Sequence, residues 1–212
     1  MSIALLQTTY FGPIQWYQKL NRYDQCLIER FDSYQKQTYR NRCVIATANG
    51  LQALTVPVEH NSQFSVLDGQ WPKANGQLVK DLRVSDHNQW RRVHWNALQS
   101  AYSESPFFEY YADDIRPFFE KKYAFLVDFN EAIRQKICEL IDISPSVEYT
   151  SAYVTTADHD FRDVIRAKHP QPDAEFEIRP YWQVFARKHG FIPNLSVLDL
   201  LFCMGPESVF YL

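Results

Sequence analysis

The sequence lacks the short motifs that announce the common chemistries. It has no G-x-x-x-x-G-K-[ST] phosphate loop, no dinucleotide G-x-G-x-x-G, no H-E-x-x-H and no G-x-S-x-G. It also lacks a hydrophobic run of the ~20 residues needed to span a bilayer. The opening Met1-Ser2-Ile3-Ala4-Leu5-Leu6-Gln7 has no basic region and no long apolar stretch, so it does not read as a signal peptide. Cysteine is sparse: Cys26, Cys43, Cys138 and Cys203 form no C-x-x-C pair and no zinc spacing with a histidine. They read as buried free thiols, which fits a reducing, cytoplasmic setting. Positive charge is not in excess, with a net charge of −3 and a pI of about 6.1. A general nucleic-acid binder carries a basic excess, so no nucleic-acid partner is expected. Internal repeats and low-complexity tracts are missing too.

What remains is an ordinary globular composition over 212 residues, 46% hydrophobic and 22% charged. Aromatics reach 16%, so core and pockets should be rich in rings. The length suits a single domain over 1–212 with a core that needs no staples. Ile3-Leu6 reads as a strand, Ile14-Leu20 as a short helix after Pro13, and Gln25-Glu29 as a second strand. This is a parallel strand-helix-strand opening. Arg40-Ala46 and Leu51-Val58 flank Ala48-Asn49-Gly50, a β-hairpin signal. Residues 59–77 read as a surface loop and Leu78-Val84 as a further strand.

A central helical segment follows. Asn88-Tyr102 is predicted helical, with Asp86 and Gln89 resembling a capping box. Phe108-Arg116 is a second helix. Leu126, Phe129, Ile133, Ile137, Leu140 and Ile141 make the stripe of a third, stopped by Ser144-Pro145. Val147-Val154 reads as a strand and the polar stretch 155–180 as the best linker candidate. The apolar run Leu195-Phe202 should pack back onto the core. The expected class is α/β, a mixed sheet with that parallel opening, the hairpin and the helices.

Three segments could carry chemistry. Asp32 to Arg42 holds Lys36, Arg40 and Arg42 with one acid. If Arg40-Asn41-Arg42 is extended, both arginines share a face and Asn41 points to the other. Paired guanidinium forks suit a phosphate or carboxylate. The bland reading is a solvated sheet edge guarded by cations. In the second segment, Asp86 to Trp95, His94 and Trp90 share one helical face. His94 could move a proton near neutral pH, although a histidine on an apolar stripe is more often a satisfied core residue. The third segment is the turn Gln7-Thr8-Thr9-Tyr10-Phe11-Gly12-Pro13. It follows the first strand directly, where ligands bind parallel sheets. No pattern names a cofactor or a metal; Asp158-His159-Asp160 reads as a polar loop.

These stretches resemble the WbqC-like family, bacterial proteins associated with polysaccharide and O-antigen gene clusters. The resemblance rests on Gln7-x-x-Tyr10-Phe11, Tyr34-x-Lys36-Gln37-Thr38-Tyr39-Arg40-Asn41-Arg42, Leu54-Thr55-Val56-Pro57-Val58 and Trp90-x-x-x-His94. It continues through Ser105-Pro106-Phe107-Phe108-Glu109-Tyr110 and Pro193-Asn194-Leu195-Ser196 to Asp199-Leu200-Leu201-Phe202. The whole set is similar to the shorter, Bacteroidetes-type form. Thr8 stands where many members have proline after the glutamine, and Tyr39 where tryptophan is common. The resemblance implies a role in cell-surface or small-molecule biosynthesis and supplies no established reaction.

The combined expectation is a transferase-type enzyme acting on an anionic or activated small molecule. Arg40 and Arg42 would hold the anion and Asn41 would orient it, with Lys36 and Trp90 beside them. Asp32 and His94 would be the catalytic pair, and Gln7 and Tyr10 would close the site. A narrower nucleotidyltransferase-like variant lacks its His-x-Gly-His signature, with Pro13-Ile14-Gln15-Trp16 standing nearby. The alternative is a non-catalytic small-ligand-binding or scaffold protein. Oligomeric state is not written in the sequence.

Overall fold

The computed structural model describes residues 2–59 and 77–212. The chain opens with β1 (Ile3–Gln7), α1 (Ile14–Arg22) and β2 (Gln25–Glu29), and the two strands pair in parallel. Next come β3 (Arg42–Thr47) and β4 (Gly50–Thr55), an antiparallel hairpin in its own two-stranded sheet. Helices α2 (Trp90–Tyr102), α3 (Phe108–Ile115), α4 (Pro117–Glu120) and α5 (Leu126–Leu140) fill the middle. The last third holds β5 (Val147–Tyr149), β6 (His159–Asp160), α6 (Ala186–His189) and α7 (Val197–Met204). The parallel sheet has the order β5-β2-β1-β6. β1 is buried from Ala4 onward, as expected for a central strand covered on both faces. The fold is mixed α/β, with parallel and antiparallel pairing in separate sheets.

The hairpin forms where Asn49-Gly50 placed it. Gly50 carries the positive φ of 106° opposite Thr47, and the Thr47 hydroxyl donates to the Gly50 carbonyl at 2.8 Å. The predicted stripe of α5 is observed: Leu126, Phe129, Ile133 and Ile137 are buried in one apolar cluster that runs from Ala4 to Phe202. The run after Leu195 also packs onto that cluster through Val197, Leu198, Leu201 and Phe202. Ser196 caps α7, its hydroxyl accepting from the Leu198 amide at 3.3 Å. Gly205 ends the helix at φ 57°, where a Cβ would press into the Phe107 ring.

Four local expectations change. Leu78-Val84 is not a strand; Val79–Asp81 is a 3-10 turn. Val79 and Leu82 lie three apart, the 3-10 period, and isolated bridges at Leu78, Arg83 and Val84 with single backbone bonds such as Val79 to Asp32 and Lys80 to Arg30 link the stretch to its neighbours in place of a ladder. Asp86 caps nothing. Asn88 and Gln89 both adopt positive φ, so the α-helix starts at Trp90, and the Asp86 carboxylate pairs with Arg91 and Lys122 instead. The strand predicted over Val147-Val154 stops at Tyr149, after which Thr150 turns its hydroxyl to Glu29. The predicted loop over 59–77 lies almost wholly outside the described residues.

The fourth change concerns 155–180, which is tied down rather than a bare linker. Its residues His159–Asp160 form β6 on β1. Residues 173–177 lie across the polar face of α1. There Lys19 is wholly buried and its ammonium sits 2.9 Å from Asp173 and 4.3 Å from the centre of the Phe161 ring. Gln15 donates to Asp173 at 2.7 Å, Gln18 to the Glu177 carbonyl at 2.8 Å, and Arg22 to Glu177 at 2.7 Å. This cover explains why Gln15, Gln18 and Lys19 are buried although polar.

Lys19→Met leaves the Asp173 carboxylate buried without its cation. Removing one partner of a buried pair costs about 3–5 kcal/mol, whereas an exposed pair is worth about 0–1 kcal/mol. Urea unfolding of the variant should show a loss of about 3 kcal/mol or more, with faster proteolysis inside 155–180. A loss of less than about 1 kcal/mol would mean that the pair does not hold this segment.

Candidate functional site

Because all four strands of the sheet are parallel, their carboxyl ends share one edge. Four segments meet there: Gln7 and the turn after it, Glu29 to Arg40, Tyr149 to Val154, and Asp160 to Arg166. Glu29 ends β2 and is 1% exposed. One carboxylate oxygen accepts from the Phe31 amide at 2.7 Å and the Thr150 hydroxyl at 2.9 Å. The other accepts from the Val154 amide at 2.9 Å and faces Arg162 at 3.5 Å. Arg162 grips Asp160 with Nε and Nη2, the latter at 2.6 Å, and stacks over the Tyr153 ring at 5.1 Å. The bond to Asp160 holds the Arg162 guanidinium above its ordinary basicity.

Beside this network, Arg40 forms an ion pair with Asp32. Arg40 is 2% exposed, and the Asp32 side chain keeps 16% of its surface. Burial lowers the basicity of the guanidinium; the Asp32 and Asp163 carboxylates oppose that shift, and Arg166 adds to it. Arg40 Nε is buried without a hydrogen-bond partner among the described residues. Two neutral neighbours share that state. Gln7 donates to the Ile165 carbonyl and leaves its Oε1 unpartnered. Asn130 donates to the Thr8 hydroxyl at 3.1 Å and the Arg40 carbonyl at 2.8 Å, and leaves its Oδ1 unpartnered.

The other residues singled out by sequence lie nearby in differing states. Arg40 is in a turn and β3 begins at Arg42, so the two arginines do not share a strand face. Arg42 Nε instead donates across the hairpin to the Thr55 hydroxyl at 3.1 Å. Asn41 is buried and donates to the Val56 carbonyl at 2.8 Å. Lys36 is exposed in the preceding turn. The Tyr10 amide donates to the Tyr39 carbonyl at 2.9 Å, and the Tyr10 hydroxyl meets His94 Nδ1 at 2.9 Å. The 32–42 and 86–95 segments therefore meet through Tyr10 and the Thr55 strand end, inside packed protein. They do not face each other across an open pocket.

His94 is 4% exposed, with the Trp90 ring 5.1 Å from its own. Burial drives its pKa down to about 4, against a smaller opposing effect of the Thr55 backbone. The neutral ring can donate toward Thr55 and accept from the Tyr10 hydroxyl, which assigns the tautomer with the proton on Nε2. A neutral, doubly engaged imidazole is poorly suited to shuttling protons at neutral pH. The cysteines are no better placed as nucleophiles: all four are buried, and burial pushes Cys26 and Cys43 up to about 12.

Sequence reading passed over Glu29, Asn130, Thr150 and Arg162, and took Asp160 for part of a polar loop. Glu29 had a signal, since it closes a strand of an expected parallel unit. The strand at Asp160 and the role of Arg162 had none, because a two-residue strand inside a polar stretch has no readable period.

Comparison with known proteins places these residues in a wider group. A sequence profile of the WbqC-like protein family matches residues 7–171, which takes in every segment of the sheet edge. A curated protein of Mycobacterium tuberculosis (strain ATCC 25618 / H37Rv), described as "Uncharacterized protein Rv1507c", is 26% identical over 239 residues. That similarity covers 99% of this chain and 96% of the mycobacterial one. No solved structure matches. Among the described residues, no helix is long and apolar enough to cross a membrane.

The buried state of His94 makes a pH prediction. The unfolded chain protonates this ring near pH 6.5 and the folded chain only near 4, so between those values the unfolded state binds more protons. The stability contribution is complete above pH 6.5 and is lost as pH falls toward 4. It amounts to about 3 kcal/mol. Denaturant titrations at stepped pH should show this slope in the wild type and its loss in His94→Gln, which keeps an acceptor and a donor. An identical slope in both proteins would show that His94 is not buried neutral.

Proposed function

The chain belongs to the WbqC-like protein family, and from that premise we propose that it binds an anionic or activated small molecule at the carboxyl edge of its parallel sheet. In this reading it is a transferase-type enzyme of cell-surface polysaccharide or related biosynthesis. The single observation that supports it most is Arg40, a charged side chain almost wholly buried, held by one carboxylate and left with an Nε that has no partner among the described residues. A buried guanidinium is costly unless its donors are used, and a ligand phosphate or carboxylate uses them bidentately. The unpartnered Gln7 Oε1 and Asn130 Oδ1 give the same edge acceptors for a hydroxyl or amide of the substrate.

The roles are then as follows. Arg40 holds the anion. Asp32, the partly exposed carboxylate beside it, orients an attacking hydroxyl or amine and takes its proton. Gln7 fixes the substrate against the end of β1. Glu29, Arg162 and Asp160 keep the edge rigid. His94 and Tyr10 hold the first turn in place from behind, a positioning role rather than a proton-moving one. A scaffold reading has its own support, since the Tyr10–His94 bond is buried and internal.

Thermal unfolding with a panel of nucleotide sugars, acyl donors and amino acids separates the two. A true ligand at 100 times its Kd should stabilise the protein by about 2.7 kcal/mol. Asp32→Asn and Arg40→Lys should remove most of that gain while remaining folded. If no panel member stabilises the wild type, or if the gain persists in both variants, the enzyme reading fails and the scaffold reading stands.

A further inference from the structure

A second concave surface lies away from the sheet edge, where the start of α2 faces α4. It is a cleft of about 370 Å3, within the range that holds small ligands. Trp90, Trp95 and Phe119 form its aromatic wall, and Arg91, Arg92 and Arg116 give it cations. Glu120 is the one carboxylate in the lining, and it is paired with Arg116 at 2.6 Å. Asp86, just outside the lining, pairs with Arg91, which leaves Arg92 as the cation of the lining without a carboxylate partner among the described residues.

The cations differ in state. Arg91 lies over the Trp90 indole, 4.5 Å from the ring centre, and its Nη1 is pinned to Asp86 at 2.5 Å. It therefore presents a fixed planar group rather than a free fork. Arg92 is exposed and has no hydrogen bond or ion pair among the described residues. Arg116 is exposed, and its pair with Glu120 is an i,i+4 surface contact of small worth. Trp95 packs 5.7 Å from Phe119 and keeps part of its ring exposed. At the lip, Asn88 and Gln89 hold φ of 62° and 47° in succession, a conformation that costs energy for a glutamine. Trp90 and Phe119 are 4% and 7% exposed, so the half-buried Trp95 is the ring open to stacking, and the cleft joins it to forks that suit a phosphate.

We propose that this cleft binds a mononucleotide, with its base against Trp95 and its phosphate on Arg92 and Arg116. The size argues for one nucleotide, and the acidic chain argues against a polynucleotide. The site is independent of the sheet edge and stands or falls without it.

Calorimetric titration of the full chain with AMP, UMP, adenosine and inorganic phosphate tests the idea. A nucleotide should bind, and adenosine and phosphate alone should each bind about tenfold more weakly or worse. Arg92→Ala, a change at an exposed side chain, should weaken the nucleotide by about tenfold, the loss of one charge-assisted bond. Glu120→Gln should tighten it by freeing Arg116. The proposal is overturned if neither nucleotide binds at millimolar concentration, or if phosphate binds as well as the nucleotide. It is also overturned if only an oligonucleotide binds. Affinity unchanged in Arg92→Ala but lost in Asp32→Asn would move the nucleotide to the sheet edge and equally defeat it.

Discussion

The connection between β1 and α1 is buried along its whole length, and the rest of the structure is arranged to satisfy it. Connecting segments normally run over the surface because their backbone groups need water. Residues 7 to 13 have none of that access. Its backbone groups must therefore find partners in other parts of the chain, although the side-chain oxygens of Gln7 and Thr9 find none among the described residues. The Gln7 carbonyl takes the Trp16 indole N–H at 2.9 Å, and the Tyr10 amide goes to Tyr39. The Phe11 carbonyl accepts from the Ser196 hydroxyl at 2.8 Å, and the Gly12 carbonyl accepts from the Val197 amide at 2.9 Å. One seven-residue turn thus fixes the entry to the hairpin, the start of α7 and the face of α1. Phe11 sits at φ 40°, a strained value of the kind that costs of order 1–3 kcal/mol. Its ring, between Phe118 and Phe119 at 5.9 and 6.0 Å, supplies the packing that holds it there.

Burying that turn brings charged side chains inside with it, and the chain settles them in two ways. Asp199 shows the complete way. It is buried, and it accepts from Tyr102 at 2.8 Å, Tyr181 at 2.6 Å and Gln183 at 3.2 Å; burial still raises its pKa. Glu29 is likewise surrounded by donors. Arg40 shows the incomplete way, with one carboxylate and an idle Nε. An unsatisfied buried group costs about 1–3 kcal/mol. Thr9 Oγ1, Asn41 Oδ1 and Arg91 Nε are left short as well, but Arg40 is the charged group so placed at the sheet edge. That contrast, within one protein, is the reason to look for a ligand at Arg40 and not at Asp199.

The legible parts of the fold were those with a local cause. Leu126 to Ile137 kept a helical period, Asn49-Gly50 carried the turn, and Ile3-Leu6 with Gln25-Glu29 made two short apolar strands. All three are present. The misread parts depended on tertiary partners. Asp86 looked like a cap, but the left-handed pair Asn88-Gln89 moved the helix start and Arg91 and Lys122 claimed the carboxylate. The 155–180 stretch looked like a linker because its attachments are ion pairs, side-chain hydrogen bonds and a two-residue strand. None of these leaves a pattern in a window of sequence. Within the candidate site, residues near the first turn were visible because parallel strands end in ligand sites. Arg162 and Asn130 were not, since each reaches the edge from far along the chain.

His94 ties the two candidate surfaces together without belonging to either. Its ring touches Tyr10 on one side and Trp90 on the other. Tyr10 belongs to the turn that ends at the sheet edge, and Trp90 forms part of the aromatic wall of the α2 cleft. A charged imidazole in that position would demand water or a carboxylate, and either would open the interior between the surfaces. Burial keeps the ring neutral at ordinary pH, so it acts as a rigid polar spacer with one donor and one acceptor in use. The aromatic richness of the chain has a use here. Trp90, Phe129, Tyr10 and Phe119 surround the spacer, with Trp90 and Phe129 6.0 Å apart and Tyr10 and Phe129 5.7 Å apart. Tyr10 meets the His94 ring through a hydrogen bond and Trp90 through a ring contact. The position of His94 within the fold, more than its capacity to carry a proton, is what the packing around it explains.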